Sequence, residues 1–139
     1  MNKIKQHLAL AGLISIFSVP VALGAVGATR SLPGSYTAGS PVSVSIQIVT
    51  DATVLTYAVE EAPPAGWVVS AMSNGGTWNS ARNKIQWLFF DGTVRTLTYS
   101  ATPPVTETGT KVFAGEAGFG TSASVVDMPI GGNNNIVLL

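Results

Sequence analysis

From Val42 to Ile48 the chain reads Val-Ser-Val-Ser-Ile-Gln-Ile, alternating apolar and polar residues without a fault over seven positions. Strand side chains point to opposite faces with a period of two, so this segment predicts a strand with one face in a core and the other in water. A helical period of 3.6 would scatter the same residues around a cylinder and bury half of the serines.

Similar segments follow, each bounded by turn or breaker residues. Thr50-Asp51-Ala52 predicts a turn into a strand over 54–61, with Leu55, Tyr57 and Val59 on one face and Thr56, Ala58 and Glu60 on the other. Pro63 and Pro64 end it, because proline has no amide to donate to a ladder. A short apolar run over 67–72 precedes the turn signal Ser73-Asn74-Gly75-Gly76. Thr77 to Asn79 reads as a brief strand, residues 80–83 as a turn, and 84–90 and 94–101 as two strands around Asp91-Gly92. Residues 111–119 and 136–139 are the last strand candidates.

If 84–90 and 94–101 pair as a hairpin, a three-residue loop places Ile85, Trp87 and Phe89 on the same face as Leu97 and Tyr99. Beyond residue 28 no stretch of ten or more residues has a helical period. The fold class expected is all-β: an antiparallel immunoglobulin-like or fibronectin-III-like sandwich of about seven to eight strands, following an N-terminal signal peptide helix.

That signal peptide is read from Lys3 and Lys5, the apolar run 8–23 broken by Gly12 and Pro20, and the small residues Gly24, Ala25, Gly27 and Ala28. A basic start, an apolar middle and small residues near a cut site are the parts of a secretory signal. The run is shorter than the ~20 residues a spanning helix needs. Cleavage points lie after Gly24 and after Ala28, and the second is preferred, dividing the 139 residues into a signal (1–28) and one domain (29–139) whose segment 131–139 is a tail or last strand. Export by the general secretion route, to the periplasm or the cell exterior, is the expected location.

Removing residues 1–28 takes away two of the seven basic residues and His7, the one histidine, leaving five basic against seven acidic side chains, a net charge of −2. The remaining basic residues, Arg30, Arg82, Lys84, Arg95 and Lys111, stand singly, which argues against nucleic acid as a partner. With no cysteine and no histidine left, Ser-His-Asp and Cys-His catalysis, His or Cys zinc sites and disulfides have no side chains to use. No cofactor, no metal and no membrane contact after signal removal are expected.

The candidate binding residues are few. Trp78 lies between Gly75-Gly76-Thr77 and Asn79-Ser80, on turn-rich sequence, and with Tyr36 or Trp67 would form an aromatic platform for sugar rings; Trp67, after the Pro63-Pro64-Ala65-Gly66 bend, also reads as a plug at one end of the sandwich, and for Trp87 the parity argues for the core. Glu60 and Glu61 are adjacent in a strand and point to opposite faces, so they do not make a glycosidase pair. Asp51, Asp91 and Asp127 sit beside turn residues, where carboxylates ordinarily bond nearby backbone. After the spacer Gly131-Gly132-Asn133-Asn134-Asn135, the apolar Ile136, Val137, Leu138 and Leu139 either complete a sheet of their own domain or add to the open edge of a neighbouring copy.

The segments Leu32-Pro33-Gly34-Ser35-Tyr36, Gly39-Ser40-Pro41-Val42, Tyr57-Ala58-Val59-Glu60-Glu61, Pro63-Pro64-Ala65-Gly66-Trp67, Ile85-Gln86-Trp87, Arg95-Thr96-Leu97-Thr98-Tyr99 with Pro103-Pro104, and Phe113-Ala114-Gly115 follow one another in an order that resembles the immunoglobulin-like modules repeated in large bacterial secreted and cell-surface proteins. The likeness covers residue 28 to about residue 119. It implies a sandwich fold and no catalytic residues. The expected role is that of a non-catalytic structural or adhesive module at the cell surface or in the extracellular matrix, with other surface proteins, including copies of itself, as partners. The alternative is a polysaccharide-binding module.

Overall fold

The computed structural model describes residues 26–139, and among them every regular element is a β-strand. The predicted signal helix lies outside the described residues. The strands are β1 (Gly27–Ser31), β2 (Ser35–Tyr36), β3 (Val42–Val49), β4 (Thr56–Ala62), β5 (Val68–Ser70), β6 (Thr77–Asn79), β7 (Lys84–Phe89), β8 (Arg95–Thr102), β9 (Lys111–Val112), β10 (Ala114–Gly120), β11 (Val125–Pro129), β12 (Gly131–Gly132) and β13 (Asn135–Leu138).

They form two mostly antiparallel five-stranded sheets, ordered β12-β1-β3-β8-β5 and β11-β10-β4-β7-β6, and a small third sheet ordered β2-β13-β9. The two large sheets bury one shared core. The first contributes Val44, Ile46, Ile48, Leu97, Tyr99 and Ala101, and the second Tyr57, Val59, Ile85, Trp87, Ala117 and Phe119. The whole is an all-β, sandwich-like fold compatible with an immunoglobulin-like module.

The alternation in β3 does what its period requires. Val42, Val44, Ile46 and Ile48 are buried, and Ile46 meets Leu97 across the β3–β8 ladder. The turn at Ser73-Asn74-Gly75-Gly76 has positive φ at Asn74 and Gly75 and a Gly76 N–H bond to the Ser73 carbonyl at 3.0 Å, the geometry of a type I′ turn. Gly76 is needed there for a second reason: a Cβ would sit 2.5 Å from the Trp87 indole nitrogen, which donates to the Ser73 carbonyl beneath the turn.

Four sequence expectations need correction. Strands β7 and β8 do not form a hairpin: β7 pairs with β4 and β6, and β8 with β3 and β5, so Asp91-Gly92 carries the chain from one sheet to the other. Ile85, Trp87, Leu97 and Tyr99 still share a core, because an arch between facing sheets and a three-residue hairpin impose the same inward parity. Leu55 is not on the buried face, since the strand starts at Thr56 and Leu55 is exposed. The strand expected over 111–119 is broken at Phe113, whose ring turns into the core and whose amide bonds Asn134 instead of a sheet neighbour. The strand count also exceeds seven or eight, because β1, β2, β11 and β12 are short segments without an alternating signature.

Candidate functional site

Two charged side chains lie inside the sandwich. Arg30 points inward from β1 and Glu61 from β4, on opposite sheets, with relative exposures of 1% and 0%. The guanidinium donates twice to the carboxylate, Nε to Oε2 at 2.7 Å and Nη2 to Oε1 at 2.6 Å, a bidentate pair. Arg30 Nη1 donates to the Asn133 carbonyl at 3.1 Å, and the Tyr99 hydroxyl donates to Glu61 Oε2 at 2.7 Å. Burial, reinforced by the Glu61 charge and this hydrogen bond, raises the Tyr99 pKa far above the ordinary tyrosine value.

Space for the carboxylate comes from Gly115, which faces Glu61 across the β10–β4 ladder. A Cβ at that position would lie 2.7 Å from Glu61 Oε1 and 2.5 Å from the Glu60 carbonyl. The strand parity that sends Glu60 and Glu61 to opposite faces was legible in the sequence. The same parity puts Glu61 on the face of Tyr57 and Val59, but its partner was not legible, because Arg30 lies in a segment with no strand signature.

Glu60, on the outer face, accepts from Arg82 at 2.9 and 3.3 Å, from Lys84 Nζ at 2.9 Å and from Gln86 Nε2 at 2.7 Å. The hydrogen bond from Lys84 is the largest cause holding its carboxyl down to about 2, followed by those from Gln86 and Arg82. Nearby, Ala58, Glu60, Gly75, Thr77, Gln86 and Leu88 line an open depression of about 400 Å³ on the sheet surface. At one end of the sandwich Arg95 stacks on the Phe89 ring, 3.9 Å from its centroid, and grips Asp91 with two bonds of 2.8 and 3.1 Å. Asp51 and Asp91 also accept from the amides of Thr53 and Thr93, the turn role expected of them.

The aromatic residues proposed as a platform do not form one. Tyr36 and Trp67 are buried at 2% and 3% exposure and pack edge to face with centroids 5.1 Å apart, and Phe113 closes the cluster at 5.7 Å from Trp67. The indole N–H of Trp67 donates to Glu107 Oε2 at 2.7 Å, and the Tyr36 hydroxyl to the Gly109 carbonyl at 2.8 Å, so their polar tips are satisfied by this chain's own 107–109 loop. Trp78, on β6, is half-buried against the core. The tail residues stand in β13, between β2 and β9: Ile136 is fully buried, Val137 and Leu138 are exposed at their outer surface, and Leu139 projects into solvent.

Among the described residues, no cluster of three or more His, Cys, Asp or Glu side chains is placed to hold a metal ion. No protein-family model matches the chain, and no curated protein matches it at a significant level of similarity.

Proposed function

We propose that the chain is a secreted, non-catalytic immunoglobulin-like module with a structural or adhesive role at the cell surface or in the extracellular matrix, acting through protein contacts. The observation that carries this reading is the use made of the buried polar groups. Arg30, Glu61 and Tyr99, the side chains whose burial would suit chemistry, spend their hydrogen bonds on one another and on Asn133, joining the sheets.

The strand order supports the immunoglobulin-like assignment. The neighbours β1-β3-β8-β5 correspond to strands A-B-E-D of such a domain, and β7-β4-β10-β11 to C′-C-F-G. One departure is that β5 precedes β7 in the chain, whereas D follows C′ in the immunoglobulin arrangement.

The two cleavage points are not equivalent for this fold. Cleavage after Ala28 would remove Gly27 and Ala28, which pair with Val49 and Ile48 in the β1–β3 ladder, and would take the buried Ala28 from the core. Cleavage after Gly24 keeps β1 whole. The test is to express the full chain in a bacterium, separate cytoplasm, periplasm and medium, and determine the mass of the recovered protein. A processed chain beginning at Ala25 outside the cytoplasm is expected, and an unprocessed cytoplasmic chain would overturn the reading. Titration of tryptophan fluorescence with soluble and insoluble polysaccharides completes it: saturable binding lost in Trp78→Ala would favour a carbohydrate-binding module instead.

A further inference from the structure

Asp51 opens the turn between β3 and β4 with one of its carboxylate oxygens in use. Oδ1 accepts from the Thr53 amide at 2.8 Å and from the Thr53 hydroxyl at 2.5 Å. Oδ2 is buried and has no hydrogen-bond partner among the described residues. Asp51 lines a mostly apolar pocket of about 240 Å³ together with Val26, Val54, Phe119, Val126 and Met128. A carboxylate oxygen buried in such surroundings costs free energy until a donor reaches it, and a cationic donor suits it best. The described basic side chains are committed elsewhere: Arg30 to Glu61, Arg82 and Lys84 to Glu60, Arg95 to Asp91 and Lys111 to Glu107.

We infer that the cation for Asp51 is the α-ammonium of the processed chain, so that signal cleavage itself creates the group that docks there. The inference rests on the export and the cleavage after Gly24 proposed above, which leave Ala25 as the first residue. The β1–β3 ladder matches Ala28 with Ile48 and Gly27 with Val49. Two further steps in the same register match position 26 with 50 and position 25 with 51. Val26 already lines the pocket that Asp51 lines, and the amino group of the residue before it is one peptide unit away, about 3.8 Å in Cα spacing.

The chemistry of processing makes the pairing conditional. In the precursor the Ala25 nitrogen is a neutral amide. A signal peptidase hydrolyses the Gly24–Ala25 bond with one water: the Gly24 carbonyl carbon gains the water oxygen and departs as a carboxylate, and the Ala25 nitrogen takes both water protons. The product is an amine that carries its charge below a pH of about 8. Thr53 holds the carboxylate by its other oxygen, so the ammonium meets an acceptor already in place. The module is therefore tightened once it is cut, and it stays less stable while it carries its signal.

The test compares three purified forms: residues 25–139 with a free amino terminus, the same chain acetylated at the Ala25 nitrogen, and a chain that keeps Leu23 and Gly24. Urea denaturation at pH 6.5 is run on each, with and without Asp51→Asn. The free form is expected to have a folding equilibrium constant about tenfold larger than the other two, and Asp51→Asn should remove the difference. Equal stability of the three forms, or a difference that survives Asp51→Asn, would overturn the pairing. If Asp51→Asn does not fold, acylation of the α-amine, followed by mass spectrometry, decides. The folded chain should react more slowly than the free peptide Ala-Val-Gly-Ala-Thr by about tenfold or more, and an equal rate overturns the pairing. Saturable binding of n-butylammonium to the free form, lost in Asp51→Asn, also overturns it, since the site would then be open to an outside amine. These measurements use purified chains, so their failure refutes the pairing alone. An unprocessed cytoplasmic chain refutes the export proposed above, and an exported chain with a first residue other than Ala25 refutes the link between processing and pairing.

Discussion

Arg30 and Glu61 form a bidentate ion pair across the middle of the sandwich, with both side chains at 0% exposure. The pair is completed by Tyr99 and the Asn133 carbonyl, so each charge is surrounded by partners. A buried pair of this kind stabilises little relative to an apolar replacement, while loss of one partner leaves an uncompensated charge in the core. Glu61→Gln and Arg30→Met should each lose about 3–5 kcal/mol in urea denaturation, and the double variant Arg30→Met/Glu61→Leu should be less destabilised than the sum of the two single changes. Gly115→Ala should also be destabilising, by overpacking, because its methyl group would press on the Glu60 carbonyl and the Glu61 carboxylate.

Alkaline pH should unfold the protein through its tyrosines. The Tyr99 pKa is raised by burial and by Glu61, and that of Tyr57 is raised by burial. An unfolded tyrosine ionises near 10, whereas these two stay protonated in the fold, so their contribution is complete below pH 10 and is lost as pH rises beyond it. Phenolate absorbance should therefore appear for these groups together with loss of the folded signal. Tyr99→Phe should reduce the steepness of the alkaline loss.

On the acid side the exposed Glu60 cluster should be visible. Its carboxyl is held at about 2 instead of 4.5, so its stabilisation is present above pH 4.5 and is lost as pH falls toward 2. Solvent screening keeps the amount near 1 kcal/mol or below. Glu60→Gln should flatten the stability profile over that range, and 0.5 M salt should reproduce part of the effect.

Trp67 should be a stability residue. It packs against Tyr36 and Phe113 and donates to Glu107, which also accepts from Lys111 at 2.8 Å. Trp67→Ala should cost about 3–5 kcal/mol in chemical denaturation. Glu107→Gln, which keeps an acceptor for the indole, should cost much less.

The sequence carried the fold class through β3, whose alternation has one reading, and through the prolines and the Asn74-Gly75 turn that bound its neighbours. It carried the inward set in β7 and β8 as well, because Ile85, Trp87, Leu97 and Tyr99 keep their parity whichever strands they pair with. Pairing itself was not legible. A period of two fixes faces, and an arch between facing sheets satisfies the same pattern as a hairpin. The buried ion pair was half legible: Glu61 shared a face with Val59, but Arg30 stood among Thr29, Ser31 and Leu32 with no period to show that it pointed inward. Trp67, after the Pro63-Pro64-Ala65-Gly66 bend, was legible as a plug at one end of the sandwich, and its ring closes that end with Tyr36 and Phe113; the alternative of a sugar platform fails because Tyr36 is spent in the same cluster.

The C-terminal segment closes its own sandwich by pairing along the N-terminal strands. Thermal unfolding of a chain ending at Ile130 tests this most directly. Removal of residues 131–139 takes away β12, β13, the buried Ile136 and the Asn133 acceptor of Arg30, so the monomer should lose its cooperative transition or melt many degrees lower than the intact chain. A truncated monomer with the melting temperature of the full protein would contradict it.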